Sequence, residues 1–194
     1  LYFCKKQTTN GKQGIPYPMP SEILSCQKNK SETTMKTYYQ LRYAAHPADA
    51  KCYDTARLRQ EFLIDNLFAD NEVNMVYSMY DRMVVGGAKP AGERLRLEAI
   101  DPLKASFFTT RREVGIYNVG QGAAIVEVGD ETFELGYKEA LYIGSGDREV
   151  WMASKDGTMP ALLYFNSTTA HRAYPCRKVA KGDAISMHMG ALVT

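Results

Sequence analysis

Arg111, Arg112 and Glu113 stand together at the head of an otherwise apolar run, VGIYNV at 114–119. Side chains of a strand alternate between two faces, so Arg111, Glu113, Gly115 and Tyr117 share one face and Arg112, Val114 and Ile116 the other. If the first face looks into a barrel, a guanidinium, a carboxylate and a phenol line a polar pocket. Such a pocket suits a sugar acid, whose carboxylate an Arg can hold through two parallel hydrogen bonds. The alternative is a structural ion pair at a strand end, a frequent and weak surface feature. His171, in TAHRAYP, opens what reads as a final strand or arm. Its roles are structural, surface or catalytic. Arg111, Glu113, Tyr117 and His171 are therefore the substrate-binding candidates.

Other reactive residue types are scattered. His46, His171 and His188 form no His-x-His and no i, i+4 pair that would put two imidazoles on one metal. Cys4, Cys26, Cys52 and Cys176 contain no Cys-x-x-Cys, so they describe neither a zinc knuckle nor a redox pair, and free thiols in a reducing compartment are expected. No Gly-x-Ser-x-Gly elbow supports a serine nucleophile. Gly120-Gln121-Gly122 lacks the third glycine of a nucleotide loop and precedes a strand rather than a helix, which makes these turn glycines. Asn166-Ser167-Thr168 and Asn29-Lys30-Ser31 match the glycosylation pattern, which matters only in a secreted protein.

The elements that must position these residues are mostly strands. Asp54 and Thr55 are good N-caps, and Leu58, Phe62 and Leu63 follow at helical spacing, which predicts a short helix at about 55–68. From VNMVYSMY (73–80) onward the period is two. Short runs recur as RMVV, RLRL, SFFT, VGIYNV, AAIVEV, TFEL, ALYI, EVWMA and ALLYF, with breaks at Gly86-Gly87, Gly120-Gln121-Gly122, Gly129-Asp130, Gly144-Ser145-Gly146 and Asp156-Gly157. Many short strands at near-regular spacing predict an antiparallel sandwich or barrel. Gly129-Asp130 suits a type II′ hairpin. The 194 residues are 45% apolar and 24% charged, contain no apolar run near membrane-spanning length and carry a net charge of +2. One globular domain with a tail is expected, with no nucleic-acid or membrane partner. Residues 1–34 hold Pro16, Pro18, Pro20 and a charge of +3, leaving −1 on the remainder. They read as a disordered extension or as upstream sequence foreign to the native protein. The Cys26 region lacks the apolar stretch of a signal peptide.

The segment REVGIYNVGQGAAIVEVGDETFELGYKEALYIGSGDREV resembles the central hairpins of a cupin, a small antiparallel jelly-roll barrel. The expected fold class is all-β with minor helix. Glu113 matches the cupin glutamate. The paired histidines expected four to six residues earlier are replaced within FFTT (107–110). Gly136 and Gly144 match the second motif, with Tyr142 in place of its proline and Asp147 in place of its histidine. The resemblance implies a cupin scaffold without its metal site.

Three blocks sharpen the likeness: TARLRQEFLIDNLFADNEVNMVYSMYDRMVVGGAKP, then FFTTRREVGIYNVGQGAAIVEVGDETFELGYKEALYIGSG, then NSTTAHRAYPCRKV. Their order and spacing resemble the 5-dehydro-4-deoxy-D-glucuronate isomerase family, the ketol-isomerases of bacterial pectin and uronate degradation. The resemblance implies two-cupin proteins that are cytoplasmic and hexameric, with zinc bound in the second cupin. Residues 35–194 would be the N-terminal, metal-free cupin, ending before the second, with no zinc expected on this chain. The substrate implied is a small uronate, whose carbonyl moves from C1 to C2. The chain by itself is expected to be inactive. Two alternatives remain: the 5-deoxyglucuronate isomerase of inositol breakdown, and a non-catalytic cupin-like module for binding or oligomerisation.

Overall fold

The computed structural model describes residues 36–185. The expectation for 1–34 falls outside them, as do Cys4, Cys26 and His188. Strand β1 (Lys36–Arg42) leads into two short helices, α1 (Pro47–Ala50) and α2 (Thr55–Phe62). Then come β2 (Glu72–Ser78), β3 (Met83–Ala88), β4 (Leu95–Arg96), β5 (Arg112–Asn118), β6 (Ala124–Val128) and β7 (Glu131–Leu135). The last strands are β8 (Ala140–Ile143), β9 (Val150–Ser154), β10 (Leu163–Thr169) and β11 (Arg177–Val179).

Seven strands form one sheet in the order β1-β2-β3-β10-β5-β8-β11, and four form the other in the order β4-β9-β6-β7. The eight strands from β3 to β10 thus divide into β3-β10-β5-β8 against β4-β9-β6-β7, the paired Greek-key order of a double-sheet jelly roll. Their pairings are all antiparallel. β1 is an addition that periodicity did not reveal, and it pairs in parallel with β2 through the crossover at 43–71. No helix among the described residues is long and apolar enough to cross a membrane.

The inner faces of the two sheets make the core. Val84, Val114, Ile116, Val126, Leu141, Ile143, Met152, Leu163 and Phe165 are all within 1% of full burial. Phe108 meets Phe165 edge to face at 6.3 Å between ring centroids, a favoured aromatic geometry. The interior is thus filled with side chains.

The turns follow their residues. Gly129 takes φ +58 while Asp130 keeps a negative φ, as a type II′ turn requires. Asn118 is fully buried and fully bonded: Nδ2 donates to Gly122 O (2.7 Å) and Leu135 O (2.9 Å), and Oδ1 accepts from Gly120 N (3.1 Å). A Cβ on Gly122 would lie 1.9 Å from Met159 O, so close backbone approach, not phosphate binding, accounts for this glycine pair.

Two expectations need correction. The helix ends at Phe62 rather than near 68, because Leu63 turns extended and the following residues cross the outer face of the large sheet, with Leu67 and Phe68 lying over Gly87. SFFT is not a strand. Phe108 plugs the core, and the buried Thr109 hydroxyl donates to Gly146 O at 2.7 Å, which holds the segment in turns against the β8–β9 connection.

Candidate functional site

Strand β5 alternates as expected, but its two faces are reversed relative to the barrel. Val114, Ile116 and Asn118 point inward with Arg112, whereas Glu113, Gly115 and Tyr117 point outward. Register follows the apolar set: turning Arg111, Glu113 and Tyr117 inward would expel Val114 and Ile116 from the core. The polar pocket expected inside the barrel therefore does not form, and these residues lie on the outer face of the seven-stranded sheet.

Arg112 is the charge that does point inward, and it is 4% exposed. Its Nε donates to Ser167 Oγ (3.0 Å), and Nη2 donates to Ser167 O (2.9 Å) and Arg82 O (2.6 Å). Its guanidinium lies 5.7 Å from the centre of the Tyr77 ring. Burial holds its pKa below the usual arginine value, with Tyr77 opposing, yet a guanidinium stays protonated. Asp81 and Arg82 both take positive φ, 52° and 53°, so the Arg82 contact also fixes a tight β2–β3 turn made without glycine.

On the outer face, the Tyr142 hydroxyl donates to Glu113 Oε2 at 2.8 Å. Partial burial first and the Glu113 carboxylate second push the Tyr142 phenol up to about 12. Tyr117 and Tyr164 are cross-strand neighbours with ring centroids 6.0 Å apart. Beside them a Cβ on Gly115 would meet Asn166 Oδ1 at 3.0 Å and Tyr117 Oη at 3.2 Å. Glu113, Tyr117, Tyr142, Tyr164 and Asn166 form a strip of acceptors, donors and aromatic faces across β8, β5 and β10. Sequence reasoning missed Tyr142, Tyr164 and Asn166 as parts of one surface. Their alternation within β8 and β10 was visible, but not which strands are neighbours.

Arg111 and His171 sit at the end of this strip. Ala170 N donates to Arg111 O at 3.0 Å. Arg111 is exposed, and its Nη2 donates to Leu103 O and Lys104 O at 3.1 and 3.2 Å. His171 is exposed in the bend after β10. The outer face of the smaller sheet is occupied by its own charges: Arg94 stacks on Trp151 and pairs with Glu127, while Arg96 pairs with Glu149.

The described residues do not fit a zinc ion. Among the described residues no three His, Cys, Asp or Glu side chains come together. Phe108 and Thr109 fill the segment where the cupin pattern has imidazoles, Glu113 points outward, and Asp147 is exposed in a bend. Two clefts among the described residues have volumes of about 270 and 280 Å³. One is bounded by β1, β2 and residues 64–67, the other by Arg96, Glu98, Ser106 and Arg148.

Strand order and packing define an all-β, cupin-like jelly roll. Its homologues carry a specific name: the chain is 69% identical over 158 residues to 4-deoxy-L-threo-5-hexosulose-uronate ketol-isomerase 1 of Bacteroides thetaiotaomicron, covering 81% of this chain and 56% of that protein. It is 62% identical over 158 residues to the ketol-isomerase of Bacteroides fragilis, with the same coverage, and 48% identical over 160 residues to that of Formosa agariphila, covering 82% of this chain and 57% of that protein. The chain thus spans about 56% of the length of the first two relatives. No protein-family model matches it. Among solved structures, the cupin domain of Cnp3 from Schizosaccharomyces pombe aligns with a TM-score of 0.38 and 15% identity, over 50% of this chain and 60% of that one. TT1209 of Thermus thermophilus aligns at 0.39 and 17%, over 60% and 95%.

Proposed function

We propose that this jelly roll is one part of a uronate ketol-isomerase that converts 5-dehydro-4-deoxy-D-glucuronate to 3-deoxy-D-glycero-2,5-hexodiulosonate. The observation that carries the reading is the 69% identity over 158 residues to a protein of that activity's name. The three relatives described above are all named for the hexosulose-uronate, which favours this substrate over the deoxyglucuronate of inositol breakdown.

The reaction moves a carbonyl from C1 to C2: a base takes the proton from C2, an enediolate forms, and a proton returns at C1. The developing oxyanion needs positive charge beside it, and the substrate carboxylate needs a cationic partner. Among the described residues the interior is packed and holds no such constellation, and in this reading the reacting atoms lie outside it. The described residues do not fit zinc; in this reading a metal of the intact protein is held by the portion this chain does not cover.

This part supplies a rigid wall and an assembly surface. Arg111, Glu113, Tyr117 and His171 are candidates to meet the uronate where another subunit, or the rest of the protein, faces the large sheet. Arg111 is the carboxylate partner in this reading, because its contacts to Leu103 and Lys104 use Nη2 alone. The enzyme is a cytoplasmic homo-oligomer, hexameric as the family resemblance implies, working in pectin breakdown without nucleic-acid or membrane partners.

The test is an assay of the intact gene product on both sugars. Turnover of 5-dehydro-4-deoxy-D-glucuronate, with Arg111→Ala raising KM more than it lowers kcat, supports the reading. Turnover of only 5-deoxyglucuronate, or of neither sugar, rejects it.

A further inference from the structure

Residues 41–83 hold eight of the fifteen large apolar side chains exposed among the described residues, including Leu41, Tyr43, Leu58, Phe62, Met79 and Tyr80. Hydrogen bonds gather their elements at one corner. Arg42 Nη1 donates to Glu61 O at the end of α2 (3.3 Å), and Met79 N donates to Arg42 O (2.8 Å). The Tyr80 hydroxyl accepts from Ala45 N (2.8 Å) and donates to Ala45 O (3.2 Å). The patch runs from α2 past the end of β1 to the β2–β3 turn. Neither helix contains a buried residue, so the Leu58–Phe62 stripe, one helical turn apart, does not serve the chain's own core.

We propose that this corner is the surface on which a second copy of the chain docks, with the two α2 helices antiparallel about a two-fold axis. Two observations select that occupant. The first is charge. Arg57 and Glu61 also lie one turn apart, on the same flank of the Leu58–Phe62 stripe, so an antiparallel partner sets Arg57 of one copy opposite Glu61 of the other, twice over. Inside one chain these groups are 3.7 Å apart and partly exposed, a pair of little worth alone. The second is size. Leu41 pairs with the inward Tyr77 and faces the other side of β1; the remaining seven side chains, of roughly 200 Å² each and a little under half exposed, present on the order of 600 Å² of surface. A standard interface needs about 800 Å² per partner.

This inference rests on the self-association proposed above and not on the isomerase activity. The experiment is sedimentation velocity of the 194-residue chain across the micromolar range. The chain is expected to sediment as a dimer or a multiple of one. Leu58→Glu with Phe62→Glu weakens association at least about tenfold while leaving the circular dichroism unchanged. Arg57→Glu and Glu61→Arg each weaken it alone, yet the two variants mixed associate with each other, an outcome that restoring the pair within one helix cannot produce. A monomeric parent chain would refute self-association altogether. An oligomer indifferent to the Leu58–Phe62 change, or variants that fail to combine, would leave self-association standing and overturn this surface.

Discussion

Residues 43–69 and residues 83–169 carry similar apolar side chains, yet the first stretch buries none of its residues and the second encloses most of the core. In the barrel, every inward side chain has neighbours on adjoining strands and an opposite sheet, so period-two patterning translates directly into burial. In the crossover, helical spacing is equally clear at Leu58 and Phe62, but an eight-residue helix has no second layer beneath it. Periodicity therefore reports which side chains seek a partner, and not whether that partner lies in the same chain.

The sharpest way to break this contrast is a pair of truncations. Phe165→Ala removes a fully buried ring packed on Phe108 and should cost about 3–5 kcal/mol, whereas Phe62→Ala should stay within about 0.5 kcal/mol for the monomeric chain. Urea denaturation reads both, and equal losses would erase the distinction. Gly144→Ala comes next, because its Cβ would stand 1.9 Å from Tyr174 O. The arm that carries β11 must move away, at about 1–3 kcal/mol, and hydrogen exchange at 177–179 should accelerate. Gly182→Ala, with nothing within 4 Å, serves as its neutral control.

Adjacent arginines give a finer comparison. Arg112→Met removes the guanidinium donors from Ser167 Oγ, Ser167 O and Arg82 O, and should cost about 1–3 kcal/mol. Lysine should not rescue it, since an ammonium cannot reproduce the guanidinium's planar fork. Arg111→Met, at an exposed site, should lose less than about 1 kcal/mol. The smallest effect is spectroscopic. Tyr142 is pushed up to about 12, while an unfolded tyrosine ionises near 10. Its contribution is therefore complete below about pH 10 and disappears as pH rises toward 12. Tyr142→Phe should flatten alkaline unfolding in that window and remove a late tyrosinate absorbance step.

Much of the barrel was legible from residue order, and the reasons for the misses are specific. Glycine turns and alternating runs located β3 to β10, apart from SFFT, where a β-like composition serves a buried plug. The wrong facing of β5 had its signal in plain view, since Val114 and Ile116 share the parity of Arg112. Two hydrophobes outweigh one charge that can find carbonyls to bond. β1 escaped because a seven-residue strand flanked by polar sequence has no local mark of a parallel pairing made across a helical crossover. The outer strip escaped because Glu113, Tyr142 and Asn166 meet only through the sheet order.

The position of β10 between β3 and β5 sets a clock on synthesis. β3 ends at Ala88 and its antiparallel neighbour begins at Leu163, so about 75 further residues must leave the ribosome before that edge is covered. At roughly 5–20 residues per second the nascent chain carries an apolar strand that is paired with β2 on one side and open on the other for about 4–15 s. During that interval the edge is open to chaperones and to other growing chains alike, and ribosome-associated crosslinking at Val84 should fade only once Thr169 has emerged.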